Sequence, residues 1–187
     1  MGLDYGITNS EGKPTNQNSF ELIKECLNNG VYQFDTAQAY GNAEKILGDA
    51  SIKLASFMEK TMRIITKLEL PINLEKSMKY LKTNILDTVL LHNFKHLHDN
   101  NSEIWKQLQK YKTQNRIRKI GVSVYTIREL KMALQYPNMD IIQFPLNVFS
   151  LSKLNNLNNN RSNSNRFSTN DIIHRIKKSN IEIHVRS

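Results

Sequence analysis

The feature of this sequence that most constrains its fold is a regular alternation of short apolar runs with amphipathic helical segments. Each run is almost continuously apolar and rich in β-branched or aromatic residues, which is typical of strands buried on both faces of a parallel sheet. The alternation predicts an α/β fold of βαβ units with right-handed crossovers. The predicted strands are residues 31–36, 63–68, 88–93, 119–124, 140–146 and 181–187.

Two α/β architectures fit this alternation, a TIM (β/α)8 barrel and a doubly wound open sheet. No GxGxxG motif follows the first predicted strand, which weakens the case for the nucleotide-binding open sheet. We expect Ser19, Asn73 and Thr126 to cap the helices that begin there, because their side chains can accept a bond from the free N–H groups of a first turn. Helices are predicted at residues 19–29, 43–53, 73–83, 102–115, 126–136 and 168–179.

Length and composition set the class of protein. The 187 residues are enough for one domain with a sizeable core, and 39% hydrophobic with 23% charged residues predicts a soluble globular chain. We treat residues 1–187 as a single partial barrel domain, with the Asn- and Ser-rich residues 155–170 as a surface loop. No apolar run approaches the roughly 20 residues of a membrane span, and we expect no signal peptide. The single cysteine suits a reducing compartment, so we expect a cytoplasmic protein.

The basic charge of the chain has two interpretations. A net charge of +9 and a pI near 9.6 can indicate nucleic-acid binding. The densest basic stretch, residues 106–119, has helical periodicity, with Trp105 and Tyr111 available for an inner face. This pattern favours a solvated helix surface over a phosphate-binding stripe. Nucleic-acid contact, for example through Arg161 and Arg166, is the minor alternative.

Polar residues stand at the ends of the first three predicted strands. Asp35 ends the first, Lys67 the second and His92 the third. Tyr40 lies in the loop after the first strand. In a parallel barrel the carboxyl ends of all strands open on one face, where active sites lie. We therefore expect these four side chains to meet at one mouth.

The combination of residue types predicts proton transfer to a carbonyl oxygen. A tyrosine is a poor acid at pH 7, with an ordinary pKa near 10, and a neighbouring ammonium group lowers that pKa. Asp35 would balance the charge of Lys67, and His92 would orient the carbonyl or help to move the proton. No side chain delivers hydride, so a nicotinamide or a flavin is implied.

The same stretches resemble the motifs of a known family, the aldo-keto reductases, in a bacterial-type branch. FDTAQAYGNAE, residues 34–44, is similar to the signature around the family's catalytic Asp and Tyr, here Asp35 and Tyr40. IITKL and VLLHN resemble the strands that carry its catalytic Lys and His, here Lys67 and His92. The resemblance implies a TIM barrel, NADP(H) or NAD(H) as cofactor, and reduction of an aldehyde or ketone as small-molecule substrate.

Three later stretches extend the resemblance to the cofactor site. KIGVSVY resembles the strand whose Ser, here Ser123, helps to hold the nicotinamide carboxamide, and DIIQFPLN the strand that supplies a Gln, here Gln143. IEIHVRS resembles the following strand, whose end contacts the cofactor, at Arg186 and Ser187. Val124 stands where many members have Asn. LDYGITNSEGKP resembles the loop after the family's first strand.

A metal-site interpretation is suggested by His92, His96 and His98. No carboxylate or cysteine stands at a diagnostic spacing from them, and His92 already has a place among the four strand-end residues. We therefore expect no metal site.

The chain has 187 residues, fewer than the roughly 250 of a typical TIM barrel. The resemblance implies a strand before residue 3 and an eighth after residue 187, so we expect six strands, with unpaired edges at those beginning at Val31 and Ile181. We expect self-association through these edges or marginal stability, and weakened cofactor binding. The prediction is an aldo-keto reductase fragment of weak or no activity. The alternative is a non-catalytic interaction protein that retains the barrel remnant.

Overall fold

The computed structural model describes residues 10, 12–57, 60–98, 102–146 and 169–186. All six predicted strands are present in these ranges and form one sheet in which every neighbouring pair is parallel. The first strand is shorter than predicted. The strands are β1 (Gln33–Asp35), β2 (Arg63–Leu68), β3 (Leu86–Leu91), β4 (Ile117–Ser123), β5 (Ile141–Pro145) and β6 (Glu182–Arg186).

Helices alternate with the strands as predicted, and two short elements were not expected. The additions are a four-residue helix and a 3-10 turn at Ala55–Phe57, both too short to show a helical period in the sequence. The helices are α1 (Asn16–Asn28), α2 (Ala43–Lys53), α3 (Leu74–Leu81), α4 (Lys95–His98), α5 (Glu103–Thr113), α6 (Ile127–Ala133) and α7 (Thr169–Lys178).

Two of the three predicted helix caps are confirmed and one is wrong. The Asn73 side chain accepts a bond from the N–H of Lys76, and Thr126 forms a reciprocal capping box at the start of α6. Ser19 does not cap α1, because the helix begins earlier and the Thr15 hydroxyl accepts the bond instead. The first turn of α1 is wholly polar, so the apolar period that located the helix begins one turn too late. Ser19 is buried inside α1.

The order of the strands distinguishes the two candidate architectures. The strands lie side by side in chain order from β1 to β6, without the reversal that defines a doubly wound sheet. A side-chain bond between distant strands shows that the sheet is also strongly curled. Nε2 of Gln143 in β5 donates to Oδ1 of Asp35 in β1 over 3.3 Å. In a flat sheet these strands would lie about 19 Å apart, four spacings of about 4.8 Å. The fold is therefore a curled half-barrel, an incomplete TIM barrel.

Apolar side chains fill both faces of the curled sheet. The large core lies between the sheet and its helices, and its bulkiest member, Trp105, donates its indole N–H to the Pro137 carbonyl over 3.0 Å. A separate cluster of Ile65, Leu90 and Ile141 lies on the concave face. This cluster supports the carboxyl ends of the strands from below.

Gly121 allows the strands to approach one another closely at the concave cluster. A Cβ atom at this position would lie 2.0 Å from the backbone oxygen of Ile141 and 2.7 Å from Cδ2 of Leu90. Such distances are impossible for real atoms, so β4 could not keep this position with any other residue there.

The outer strands of the half-barrel have one partner each in the described ranges. There β1 pairs with β2, and β6 pairs with β5. Val31, just before β1, and Val185, within β6, are 47% and 57% exposed. Across the described residues, no helix combines the length and the apolar character needed to cross a membrane.

Candidate active site

The carboxyl ends of β1 and β2 hold a close ion pair. Nζ of Lys67 lies 2.5 Å from Oδ2 of Asp35 and donates to the Thr36 carbonyl over 3.2 Å. The lysine side chain is only 2% exposed, whereas the aspartate is 41% exposed. The charged end of a buried lysine therefore points to the mouth of the half-barrel, with its counter-charge at the water boundary.

Tyr40 reaches this pair from a tight turn between β1 and α2. Its N–H donates to the Ala37 carbonyl over 3.0 Å, and its own carbonyl accepts from Ala43 over 3.1 Å. Gly41 has a φ of +58°, a left-handed conformation that a glycine adopts without strain. The turn places the Tyr40 ring centroid 5.1 Å from Nζ of Lys67.

His92 completes the group from the end of β3. Its ring meets the Tyr40 ring edge to face, with 5.8 Å between centroids. Nδ1 of His92 lies 3.3 Å from Oε1 of Glu69. The structure thus brings all four strand-end residues together, as expected from the parallel order of the strands.

The surroundings of the site lower the pKa of both its basic groups. Burial is the main cause of the lowered pKa of Lys67; the charge of Arg186 adds to it, and the bond to Asp35 opposes it. Burial also lowers the pKa of His92 below its ordinary value of 6.5, and the charge of Lys67 acts in the same direction. Glu69 and Asp35 oppose this shift. At neutral pH His92 is therefore mostly an uncharged imidazole, which can donate from one ring nitrogen and accept at the other.

Ser123 and Gln143 lie on the other side of the same mouth. The Ser123 hydroxyl donates to Oε1 of Gln143 over 3.4 Å, and both residues are buried. The Gln143 amide also donates to Asp35, which ties this side to the ion pair. A nicotinamide carboxamide has one acceptor and two donor hydrogens, and a hydroxyl beside a glutamine amide is complementary to that set.

Arg186 ends β6 and contributes a second positive charge near the site. Its guanidinium stacks on the ring of Tyr125 at 4.5 Å, and its Nη2 atom is buried without a hydrogen-bond partner in the described part of the chain. This arrangement could contact an anionic part of a bound molecule. Ser187 lies outside the described residues, as do residues 3–9 and 11 of the early stretch and residues 155–168 of the Asn/Ser-rich segment.

Three residues around the site were missed by the sequence reasoning. Glu69 follows β2 directly, so the same strand-end rule that selected Lys67 would have found it. Tyr125 follows Ser123 by two positions and has no such signal. Gln38 fixes the turn before Tyr40, since its side-chain amide donates to the Asn73 carbonyl and to the Ser77 hydroxyl, both over 2.8 Å. Such a long-range bond leaves no local pattern.

The fold and the site define a parallel α/β half-barrel with a buried lysine, an aspartate, a tyrosine and a histidine at the strands' carboxyl ends. The chain belongs to the Aldo/keto reductase family, whose sequence model matches residues 4–185. The prediction of an incomplete aldo-keto reductase barrel is therefore confirmed.

Relatives with curated descriptions share modest identity with the chain. An NAD/NADP-dependent indole-3-acetaldehyde reductase of Schizosaccharomyces pombe is 25% identical over 164 residues, which cover 81% of this chain and 57% of the relative. An uncharacterized oxidoreductase of the same yeast is 28% identical over 160 residues, covering 72% and 48%. A third relative is an uncharacterized oxidoreductase of Bacillus subtilis, of which the chain covers 52%. The chain thus spans about half the length of these three relatives.

Solved structures support the fold. A Pseudomonas aeruginosa protein described as an aldo-keto reductase superposes with a TM-score of 0.70 at 22% identity, covering 98% of this chain and 68% of that one. A Klebsiella pneumoniae aldo/keto reductase in complex with NADP and acetate gives a TM-score of 0.57 at 20% identity, covering 68% and 48%. At these identities the likeness concerns the fold alone.

Proposed function

We propose that this chain carries the proton-transfer centre of an NAD(P)H-dependent oxidoreductase that reduces an aldehyde or ketone to an alcohol. The observation that carries the proposal is the buried Lys67, paired with Asp35 and directed at the ring of Tyr40. A purely structural ion pair would not need a phenol and an imidazole in contact above it. Family membership supports the same reaction class.

The catalytic roles follow from charge and position. Tyr40 gives its hydroxyl proton to the carbonyl oxygen, and the Lys67 ammonium stabilises the negative charge that develops on the phenol oxygen. Asp35 keeps Lys67 charged against the effect of burial. His92, mostly neutral at pH 7, orients the carbonyl by a hydrogen bond.

The cofactor is proposed to be NADP(H) or NAD(H). A bound nicotinamide would supply the hydride, which no side chain can provide. Ser123 and Gln143 would hold its carboxamide, and Arg186 and Ser187 would contact it at the end of β6. The yeast relative is an NAD/NADP-dependent reductase, and the aldo-keto reductase of Klebsiella pneumoniae has been solved in complex with NADP and with NADPH, which supports this cofactor class.

The 187-residue polypeptide by itself is proposed to bind this cofactor weakly and to turn over slowly. The contacts proposed above concern the nicotinamide end, and the family resemblance implies that a segment after the strand corresponding to β6 holds the pyrophosphate. Binding energy from such remote groups normally positions the reacting end. We therefore expect dissociation constants for NADPH above the micromolar range.

The test is NADPH consumption with an aromatic aldehyde such as 4-nitrobenzaldehyde, followed for the wild-type chain, Tyr40→Phe and the control Tyr80→Phe, which alters an exposed tyrosine of α3. We expect slow wild-type turnover that Tyr40→Phe abolishes and the control retains. Equal rates for wild type and Tyr40→Phe would refute the role of Tyr40. Quenching of NADPH fluorescence measures affinity separately, and tight binding would refute the proposal of weak binding.

A non-catalytic interaction function is the second candidate, favoured by the exposed valines at the two outer strands. Val31 and Val185 present apolar surface beside strands that have one described partner each. Such edges can pair with a further strand, so self-association is the proposed interaction. Light scattering after gel filtration should show concentration-dependent association that Val185→Lys weakens. A monomer over the whole concentration range would exclude it.

A further inference from the structure

The buried carboxyl of Glu44 stands out on a helix face that is otherwise apolar. Glu44 lies in the first turn of α2, is 2% exposed, and accepts a bond from the fully buried Thr66 hydroxyl over 2.7 Å. Removing a carboxyl from water is costly, and an apolar side chain at this position would avoid that cost. A role other than packing is therefore expected for Glu44.

The carboxyl is also only partly satisfied. Oε2 of Glu44 has no hydrogen-bond partner in the described ranges, and neither has the hydroxyl of Thr36. A network selected for stability alone would satisfy such buried atoms, which are rare in native proteins. Within the described ranges, the pair of Glu44 and Thr66 is therefore less completely bonded than a network that serves stability alone would be.

The bond between Glu44 and Thr66 joins the two segments that carry Tyr40 and Lys67. Thr66 directly precedes Lys67 in β2, and its side chain points to the helix side while that of Lys67 points to the mouth, as adjacent strand residues do. Glu44 follows Ala43, whose N–H bonds the Tyr40 carbonyl over 3.1 Å. One side-chain bond thus connects the end of the Tyr40 turn to the backbone beside Lys67.

The beginning of the same turn is fixed independently. The N–H of Gln38 donates to the Lys67 carbonyl over 3.0 Å. Further along, α2 is fixed against α3 at Gly48, where a Cβ would lie 2.1 Å from the Tyr80 carbonyl. Between these two points, the bond from Thr66 to Glu44 adds a buried side-chain hydrogen bond to β2, beside the contact of the Tyr40 ring with Lys67. Its loss should release the first turn of α2 while the rest of the helix stays in place.

We propose that Glu44 and Thr66 are a positioning pair that sets the distance and angle of the Tyr40 ring relative to Lys67 and His92. Both residues are buried between α2 and the helix side of β2, and the pair acts through the Tyr40 turn. Its effect on turnover rests on the proposed function, whereas its effect on ring geometry does not. A misplacement of about 1 Å in an active site can reduce turnover about a hundredfold.

The experiment compares the wild-type chain with the double variant Glu44→Met/Thr66→Val, which replaces both polar partners by apolar groups of similar size. Replacing both partners leaves neither unsatisfied, so folding should be preserved. Thr66→Ser keeps the hydroxyl and is the conservative variant. Glu21→Met, at an exposed glutamate of α1, is the matched control.

Two readouts separate positioning from a structural role. The first is the nuclear Overhauser effect between the Tyr40 and His92 rings, which can be measured without any activity. The ring signals of Tyr40 are assigned by comparison with the Tyr40→Phe variant. The second is steady-state NADPH oxidation, resolved into kcat and KM. For the double variant we expect a lost or weakened ring contact, kcat lower by about 10- to 100-fold, little change in KM, and an unfolding midpoint equal to or above that of wild type. Thr66→Ser and Glu21→Met should resemble wild type.

The outcomes are distinguishable from failure of the proposed function. If wild type shows no NADPH oxidation, the proposed function fails, and the ring contact alone decides the positioning pair. An unchanged contact in the double variant overturns the inference whatever the activity. A double variant whose unfolding midpoint falls while the contact persists would assign the pair to stability, which overturns it as well.

Discussion

The two sides of the concave mouth differ in charge. The acid–base side, at the ends of β1 to β3, holds Asp35, Lys67 and His92, with Tyr40 between them. The amide side, at the ends of β4 and β5, holds the neutral Ser123 and Gln143. The first set suits the movement of a proton, and the second suits the orientation of a neutral polar ring substituent.

One curled sheet thus keeps the charged side chains and the neutral polar side chains of the mouth at the ends of different strands. Burial is the main cause of the lowered pKa of both Lys67 and His92, and a neighbouring positive charge, Arg186 for the lysine and Lys67 for the histidine, lowers each pKa further. A neutral serine and glutamine avoid adding further charge beside the ion pair, yet Gln143 still contacts Asp35 over 3.3 Å. Variants on the two sides should therefore fail in different ways.

The largest effect is expected from Lys67→Met, which removes the charge of the acid–base side. Turnover should fall by about 10²–10⁴-fold, because the proton donor loses its neighbouring ammonium. Measurement of kcat with NADPH and 4-nitrobenzaldehyde checks this. Lys79→Met, at an exposed lysine of α3, is the control. A loss of less than about tenfold would contradict a role for Lys67 in proton transfer.

Gly121→Ala should disturb the packing of β4 against β5 and against β3, the last strand of the acid–base side, since its Cβ would lie 2.0 Å from the Ile141 carbonyl oxygen and 2.7 Å from Cδ2 of Leu90. We expect the free energy of unfolding to fall by about 1–3 kcal/mol or more. Urea denaturation followed by circular dichroism measures it. Gly30→Ala is the comparison, because a Cβ there meets nothing within 4 Å and only the left-handed φ of +79° opposes it. Its expected loss is about 1 kcal/mol, and an equal loss at both positions would argue against the close approach.

Gln143→Leu tests the amide side together with its bond to Asp35. The carboxamide of the cofactor should lose one hydrogen-bonding partner, so the KM for NADPH is expected to rise about five- to tenfold. The value of kcat should change less than in Lys67→Met. Gln107→Leu on the surface of α5 is the control. A variant that loses kcat with an unchanged KM would place Gln143 functionally on the acid–base side.

The smallest effect concerns the pH dependence contributed by His92. Because its pKa is lowered in the folded state, the unfolded chain binds more protons just below the ordinary value of 6.5. The stabilising contribution is therefore complete above that value and is lost as the pH falls through the folded pKa. His92→Asn should remove this part of the slope in unfolding free energy, whereas His174→Asn, at an exposed histidine of α7, should keep it.

A direct titration of the His92 ring by NMR sharpens the same point. In Lys67→Met the pKa should rise only part of the way to 6.5, since burial is the larger cause of the shift. A full return would show that the lysine charge dominates instead.

Local patterns were sufficient to predict most elements and the gathering of the four strand-end residues. The period of the apolar runs located all six strands, and Asn73 and Thr126 mark their helix starts because a cap is a bond over three or four residues. The prediction that Ser19 caps α1 was wrong, because the first turn of that helix is polar and shows no apolar period. The catalytic and cofactor-binding roles of the site residues stay predictions.

By itself, the sequence determined which side chains stand at the ends of parallel strands, because strand length and order follow from its apolar period. The tertiary structure alone decided the contacts of Gln143 with Asp35, of Glu69 with His92 and of Glu44 with Thr66. These contacts depend on how far the sheet curls and on how helices settle against it. Curvature and packing depend on side chains from the whole chain, so they cannot be predicted from any short stretch of sequence.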